Sequence, residues 1–122
     1  MKKIIVVDDD QTNVSLLKML LELDGFAVEA CTSIEQAEQA SGNGVSAFVV
    51  DVNLSRGTSG IDLLRHVRAG ETAAPTNTIV IMTSGDHRRQ SECQSAGADQ
   101  FLLKPYPPNA LSGYINTLLS KR

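Results

Sequence analysis

Five short hydrophobic segments recur along the chain, at residues 4–7, 26–28, 47–50, 79–82 and 101–103. Four of them are unbroken and three are rich in valine and isoleucine, which is typical of strands covered on both faces. Only the second alternates with polar residues, and this alternation predicts a strand near an edge of the sheet.

Segments long enough to form helices separate the hydrophobic stretches. We predict helices over residues 12–24, 61–69, 86–96 and 108–119, and another that Ser33 caps and that runs to residue 40. Gly25 just after the first helix and Pro108 at the start of the last stand where these residue types are common. The residues expected to face inward are Val14, Leu17, Leu20, Leu21, Leu23, Ile61, Leu64, Val67, Cys93, Ala96, Leu111, Ile115, Leu118 and Leu119.

Strand and helix alternate five times along the chain. This alternation predicts an α/β fold with one doubly wound, mostly parallel sheet and helices on both of its faces. The length of 122 residues is that of one ordinary domain, so residues 1–122 are expected to form a single domain. In such a sheet, ligands bind beyond the carboxyl ends of the strands, where the strand order reverses.

Composition narrows the classes of function. A net charge of −3 and a hydrophobic fraction of 42% are typical of a globular chain. No run of lysine and arginine is long enough to grip a phosphate backbone, so direct nucleic-acid binding is not expected. The apolar stretches are shorter than a membrane span and no leader opens the chain, which predicts a cytoplasmic protein without membrane contact. Cys31 and Cys93 match no metal or redox spacing and are expected to be reduced.

Polar and charged side chains stand where four of the predicted strands end. The acids at 8–10 follow the first strand, Asp51 follows the third, Thr83 follows the fourth and Lys104 follows the fifth. Because the carboxyl ends of parallel strands meet at one edge of a sheet, we expect these side chains to come within reach of one another.

Clustered carboxylates repel one another unless a cation lies among them. Oxygen ligands suit a hard ion, with Mg²⁺ as the natural candidate and Mn²⁺ as an alternative. Such a site could receive a phosphoryl group that Thr83 hydrogen-bonds, that Lys104 neutralises and that Asp51 accepts. Taken singly, each strand-end aspartate is more often a cap or a turn residue. Their placement together favours the functional interpretation.

The chain resembles a known family, the receiver domain of two-component response regulators, over essentially its whole length. Each matching motif is short, but their order and their positions at strand ends make the set specific. The motifs are IIVVDDD at residues 4–10, VVDVNL at 49–54, IMTSG at 81–85, AGAD at 96–99 and FLLKPY at 101–106.

The resemblance implies a flavodoxin-like (βα)5 fold with strand order 2-1-3-4-5. It implies that Asp51 is the phosphoacceptor and that Thr83 and Lys104 contact the phosphoryl group. Phe101 corresponds to the aromatic residue that rotates inward on activation, following Thr83. The peptide bond between Lys104 and Pro105 is implied to be cis.

The resemblance also implies a magnesium site. Asp9 corresponds to a direct ligand, Asp8 to the acid that acts through water, and Asn53 to the position whose backbone carbonyl completes the protein ligands together with Asp51. The phosphoryl group would come from a phosphohistidine on a histidine kinase or a histidine phosphotransfer protein. The chain would catalyse only its own phosphorylation and dephosphorylation, as a signalling domain rather than an enzyme.

The implied output is a change in the face formed by the fourth helix, the fifth strand and the fifth helix. A downstream protein, or an effector domain beyond this chain, would read that face. A monomer or a weak, phosphorylation-dependent dimer is expected.

The chain departs from the family pattern in three loops. The segment at 51–60 is slightly longer than usual, with Ser55 where proline is typical. The connection at 70–77 is also long, and the segment at 83–104 is slightly short. The first and last of these lie beside the site, and we expect the last to affect the shape of the fourth helix.

Three other functions agree less well with this sequence than a receiver does. A phosphatase with an aspartate nucleophile usually has a second acid two residues on, where this chain has Asn53. A flavodoxin-like cofactor binder needs a first loop rich in glycine and hydroxyls, whereas three acids occupy it here. A receiver used only for docking is disfavoured by the complete set of polar residues at the strand ends.

Overall fold

A computed structural model of the chain describes residues 1–107 and 109–121. Five parallel strands form one sheet in the order β2-β1-β3-β4-β5, which confirms the predicted fold class and strand order. The edge position predicted for the second strand is also confirmed. The strands are β1 (Lys3–Val7), β2 (Ala27–Cys31), β3 (Val45–Asp51), β4 (Ile79–Ser84) and β5 (Gln100–Leu103).

In the part of the chain that the structure describes, five α-helices connect or follow the strands. They are α1 (Gln11–Leu23), α2 (Ile34–Ala40), α3 (Gly60–Arg68), α4 (Gln90–Ser95) and α5 (Ala110–Ser120). Ser33 caps α2 as predicted, since its hydroxyl accepts from the Gln36 N–H at 3.2 Å. The predicted start of the last helix at Pro108 lies outside the described residues. Within 1–107 and 109–121, every helix falls short of the length and apolar content that a bilayer-spanning helix needs.

Alternate residues of each central strand pack on opposite faces of the sheet. Ile5 and Val7 of β1 join a core under α2, α3 and α4, whereas Ile4 and Val6 join a second core under α1 and α5. Both faces are therefore closed to water, and this explains why the central strands are hydrophobic without alternation.

The inward stripe predicted for α1 is wrong at Leu23. Val14 and Leu21 are buried, and Leu17 packs against the same core, but the side chain of Leu23 is 78% exposed. Leu23 lies two residues after Leu21, about 200° further around the helix, so the two side chains point away from each other.

The fourth helix is shorter than the predicted range of 86–96. Asp86 caps a 3₁₀ turn at His87–Arg89, and the α-helix itself covers only Gln90–Ser95. Cys93 is fully buried, as predicted, and Ala96 is partly buried against the core. A segment that buries so little apolar surface gains little stability from packing, which favours a short helix. Both cysteines are free, as expected, and both are buried.

Candidate functional site

The carboxyl ends of β1 and β3 lie side by side at the point where the strand order reverses. Asp8 directly follows β1, and its backbone N–H donates to the Cys31 carbonyl at 3.1 Å. Asp51 is the last residue of β3 and lies in register with Thr83 of β4. Lys104 directly follows β5, and its N–H donates to the Ser84 carbonyl at 2.8 Å. The sheet thus brings the predicted residues to one edge.

Three carboxylates form a cluster at this edge. Asp8, Asp9 and Asp51 each offer one oxygen, and these oxygens lie within 4.8 Å of one another. Asp8 is 3% exposed and Asp51 is 9% exposed, whereas Asp9 is open to solvent. All three donors are hard oxygens on the solvent-facing side of a buried strand end, and this donor set fits a small divalent cation such as Mg²⁺.

Lys104 supplies the positive charge that faces this cluster. Its Nζ lies 2.9 Å from Asp51 Oδ2 and 3.5 Å from Asp8 Oδ2. Burial by itself lowers the pKa of Lys104, but the hydrogen bond that Lys104 donates to Asp51 and the charges of Asp51 and Asp8 outweigh it, so the pKa is raised overall. The ammonium group therefore stays charged beside the acids.

Burial dominates the titration of Asp8. It raises the pKa of this carboxyl above the ordinary value, although the Asp10 N–H and the charge of Lys104 act in the opposite direction. The Asp10 N–H donates to Asp8 Oδ1 at 3.0 Å, and the Asp10 side chain caps α1. The chain turn after β1 therefore orients one acid while it starts the next helix.

Backbone and side-chain donors orient the other two carboxylates. The Asn53 N–H donates to Asp51 Oδ1 at 3.1 Å, so the two oxygens of Asp51 face Asn53 and Lys104. The Ser55 hydroxyl donates to Asp9 Oδ2 at 3.2 Å. Sequence reasoning noted Ser55 only as a departure from a family pattern and missed this contact.

A second residue that sequence reasoning missed is Gly60, the first residue of α3. Its N–H donates to the Val52 carbonyl at 2.7 Å. A Cβ at this position would overlap the backbone oxygen of Asp51 and would lie 2.7 Å from the Val50 side chain. Only glycine allows α3 to begin this close to the strand end that carries Asp51. The signal available in the sequence was a glycine directly after Ser59, the helix cap.

The two residues predicted to form a switch are both buried. Thr83 is 3% exposed at the end of β4, and Phe101 is 8% exposed in the core under α2, α3 and α4. The side chain of Phe101 thus already occupies an inward position. The peptide bond between Lys104 and Pro105 is cis.

Comparison with known proteins decides the family. The family model of the response regulator receiver domain matches residues 4–116. The chain belongs to this family. Among curated proteins, it is 32% identical to the transcriptional regulatory protein CpxR of Escherichia coli over 99% of this chain and 50% of that protein. It is 31% identical to the transcriptional regulatory protein PrrA of Mycobacterium tuberculosis over 98% of this chain and 51% of that protein.

Solved receiver structures share the fold. A receiver domain protein from Clostridium thermocellum has a TM-score of 0.87 and 27% identity, covering 99% of this chain and 96% of that one. The response regulator TrrA from Thermotoga maritima, in complex with Mg²⁺ and BeF, has a TM-score of 0.81 and 25% identity, covering 97% and 99%. The receiver chain described here spans about half the length of the curated relatives it matches.

A groove of about 560 Å³ opens beside the acid cluster of this receiver. One wall consists of Leu16, Leu17 and Leu20 of α1, and the other contains Lys104 and Tyr106. The groove therefore joins an apolar surface to the charged residues of the site. Burial, with a smaller contribution from the charges of Asp8 and Asp51, raises the pKa of Tyr106, while Lys104 opposes this, so the phenol stays neutral.

Proposed function

We propose that this receiver accepts a phosphoryl group on Asp51 in a reaction that requires Mg²⁺. The observation that carries the proposal is the charge arrangement around Asp51: one of its oxygens contacts the Lys104 ammonium at 2.9 Å, and the carboxylate shares a cluster with Asp8 and Asp9. A divalent cation held by these acids, together with the Lys104 ammonium group, would suit the transfer of an anionic group to Asp51.

Four residues would hold the metal. Asp9 and Asp51 would bind it directly, Asn53 through its backbone carbonyl, and Asp8 through water. When bound, Mg²⁺, or Mn²⁺ in its place, would supply positive charge that offsets the negative charge of the carboxylates and of the phosphoryl group. The carboxylate cluster of Asp8, Asp9 and Asp51 supports this assignment, because three acids within 4.8 Å are stabilised by a cation.

In the transfer of the phosphoryl group, the residues of the chain mainly position the reacting groups and neutralise charge. An oxygen of Asp51 forms a bond to phosphorus as the bond from phosphorus to the donor imidazole breaks, and the imidazole takes up a proton. Lys104 neutralises one phosphoryl oxygen, and the Thr83 hydroxyl donates to another. Later attack by water on phosphorus releases phosphate and restores the Asp51 carboxylate.

The donor would be a phosphohistidine on a histidine kinase or on a histidine phosphotransfer protein. Support comes from the groove beside Asp8 and Lys104, whose apolar wall on α1 offers a partner surface next to the acceptor. A cytoplasmic location is part of this proposal, and the free, buried Cys31 and Cys93 agree with a reducing compartment.

The output would be a changed surface on α4, β5 and α5, coupled to Asp51 through Thr83 and Phe101. Phe101 is 8% exposed here, so a switch of this kind requires an outward position to be populated before phosphorylation. CpxR and PrrA are transcriptional regulatory proteins about twice as long as this chain. By analogy, an effector domain or a separate downstream protein would read the surface.

The test is labelling with a small phosphodonor. With Mg²⁺ and acetyl phosphate, the wild type should gain one phosphoryl group in intact mass spectra, and Asp51→Asn should gain none. Asp10→Asn is the matched control, because Asp10 lies beside the cluster as a helix cap and asparagine caps helices equally well. Equal labelling of Asp51→Asn and the wild type would reject Asp51 as the acceptor, and an unlabelled wild type would favour a receiver used only for docking.

A further inference from the structure

The three clustered acids are not neutralised in the same way. Within the described residues, Lys104 forms ion pairs with Asp51 and Asp8, whereas Asp9 is contacted by the Ser55 hydroxyl at 3.2 Å. We propose that Ser55 is a positioning residue that holds the Asp9 carboxylate in the orientation needed to bind the divalent cation. This inference rests on the function proposed above and assigns a new residue to that site.

The loop that carries Ser55 is built to hold it in place. Leu54 is 8% exposed and anchors the loop in the core. A tight turn follows, in which the Leu54 N–H donates to the Thr58 carbonyl at 3.0 Å and the Thr58 N–H donates back to the Ser55 carbonyl at 3.1 Å. Arg56 has a φ of 60° and Gly57 a φ of 71°. An arginine in the left-handed region is unfavourable by itself, so the surrounding contacts determine the shape of this turn.

Both ends of the same loop are held at the carboxyl end of β3. It leaves β3 at Asp51 and returns at Gly60, whose N–H donates to the Val52 carbonyl at 2.7 Å. Ser55 is therefore fixed relative to Asp51, whereas Asp9 belongs to the loop after β1. The pairing of β1 with β3 brings the two acids near each other, and the hydrogen bond from Ser55 orients the Asp9 carboxylate within that frame.

The hydroxyl of Ser55 can orient Asp9 without competing with a metal. It donates one hydrogen to a single oxygen and leaves the carboxylate its full negative charge, whereas an ammonium group would neutralise that charge. Partners of metal ligands commonly change metal affinity by tenfold or more. Because Ser55 is exposed and water can partly replace its hydroxyl, we expect an effect of roughly threefold to tenfold.

The experiment is a titration with Mg²⁺ alone. Binding is monitored by amide NMR, because the chain contains no tryptophan whose fluorescence could report it. Ser55→Ala should weaken Mg²⁺ binding by roughly threefold to tenfold, and Ser55→Thr, which keeps the hydroxyl, should bind like the wild type. Thr58→Ala is the matched control, since it removes an exposed hydroxyl from the same turn. In the absence of metal, the Asp9 carboxyl carbon resonance should move in Ser55→Ala and stay in place in Thr58→Ala.

The outcomes separate this inference from the proposed function. A wild type that binds no Mg²⁺ would overturn the proposed function, and the inference with it. Normal binding by the wild type with equal or tighter binding by Ser55→Ala would overturn the role of Ser55 alone. Weaker binding by Ser55→Ala that Ser55→Thr does not share would support it, and equal weakening by Thr58→Ala would show a general effect of the loop and overturn it.

Discussion

Replacing Asp9 with asparagine should stabilise the metal-free protein. The change removes one negative charge from the acid cluster while keeping the shape of the side chain and an oxygen that can accept from Ser55. Asp9 is the acid to replace, because Asp51 and Asp8 both pair with Lys104. Replacing either of those two acids would leave the ammonium group with fewer partners. The free energy of unfolding should rise, because the native state loses the electrostatic repulsion between Asp9 and the other two acids.

The magnitude follows from the spacing of the cluster. At the 4.8 Å upper limit of the spacing in the cluster, two unit charges repel by about 0.9 kcal/mol with the screening of bulk water and by about 3.5 kcal/mol at an effective dielectric constant of 20. Asp9 faces two carboxylates, and the Lys104 charge offsets about one of them. Because Asp9 is open to solvent, we expect a gain of about 1–2 kcal/mol, or about 3–8 °C in Tm for a chain of this size.

Thermal unfolding followed by circular dichroism measures this directly. In excess EDTA, Asp9→Asn should melt above the wild type, whereas Asp10→Asn, outside the cluster, should show no comparable gain. In excess Mg²⁺ the wild type should gain stability by mass action, and Asp9→Asn, which lacks the proposed direct ligand, should gain much less. A lower Tm for Asp9→Asn in EDTA would refute the reasoning, because it would show that Asp9 stabilises the fold as a turn residue.

Two further predictions concern Asp8 and Thr83. Burial raises the pKa of Asp8 above 3.8, so between 3.8 and the raised value the folded protein binds more protons than the unfolded one, and this group lowers stability as pH rises. The measurement is urea unfolding without metal at a series of pH values. Asp8→Asn should remove this contribution to the dependence of the free energy of unfolding on pH, and an unchanged pH dependence would contradict the prediction. Thr83→Ala should leave Asp51 phosphorylatable but should uncouple the position of Phe101 from phosphorylation. With beryllofluoride, a stable mimic of the acyl phosphate, NMR should then show smaller shifts across α4 than in the wild type. Identical shifts in both proteins would exclude Thr83 as the coupling residue.

The parallel sheet was predictable from the sequence because its signal is local. An unbroken segment such as Ile4-Ile5-Val6-Val7 is favourable only where both faces of a strand are covered, and both cores use it. Parallel strands place their carboxyl ends together, so Asp8, Asp51 and Lys104 could be assigned to one edge before any distance was known. The helix boundaries were less certain, and the short α4 is an example, because a mostly polar segment has a weak periodic pattern.

Only the tertiary structure decided how the charges at that edge are paired. Lys104 contacts Asp51 and Asp8, and Ser55 contacts Asp9. These pairings depend on the relative positions of loops that follow different strands. Gly60 is required for a similar reason, since it lies against the backbone of Asp51. Hydrophobic pattern records whether a residue is covered, but it carries no information about which polar atoms meet. The sequence therefore indicated the acids, Thr83 and Lys104 at this edge, whereas the contacts of Ser55 and Gly60 were decided by the packing of the loops around them.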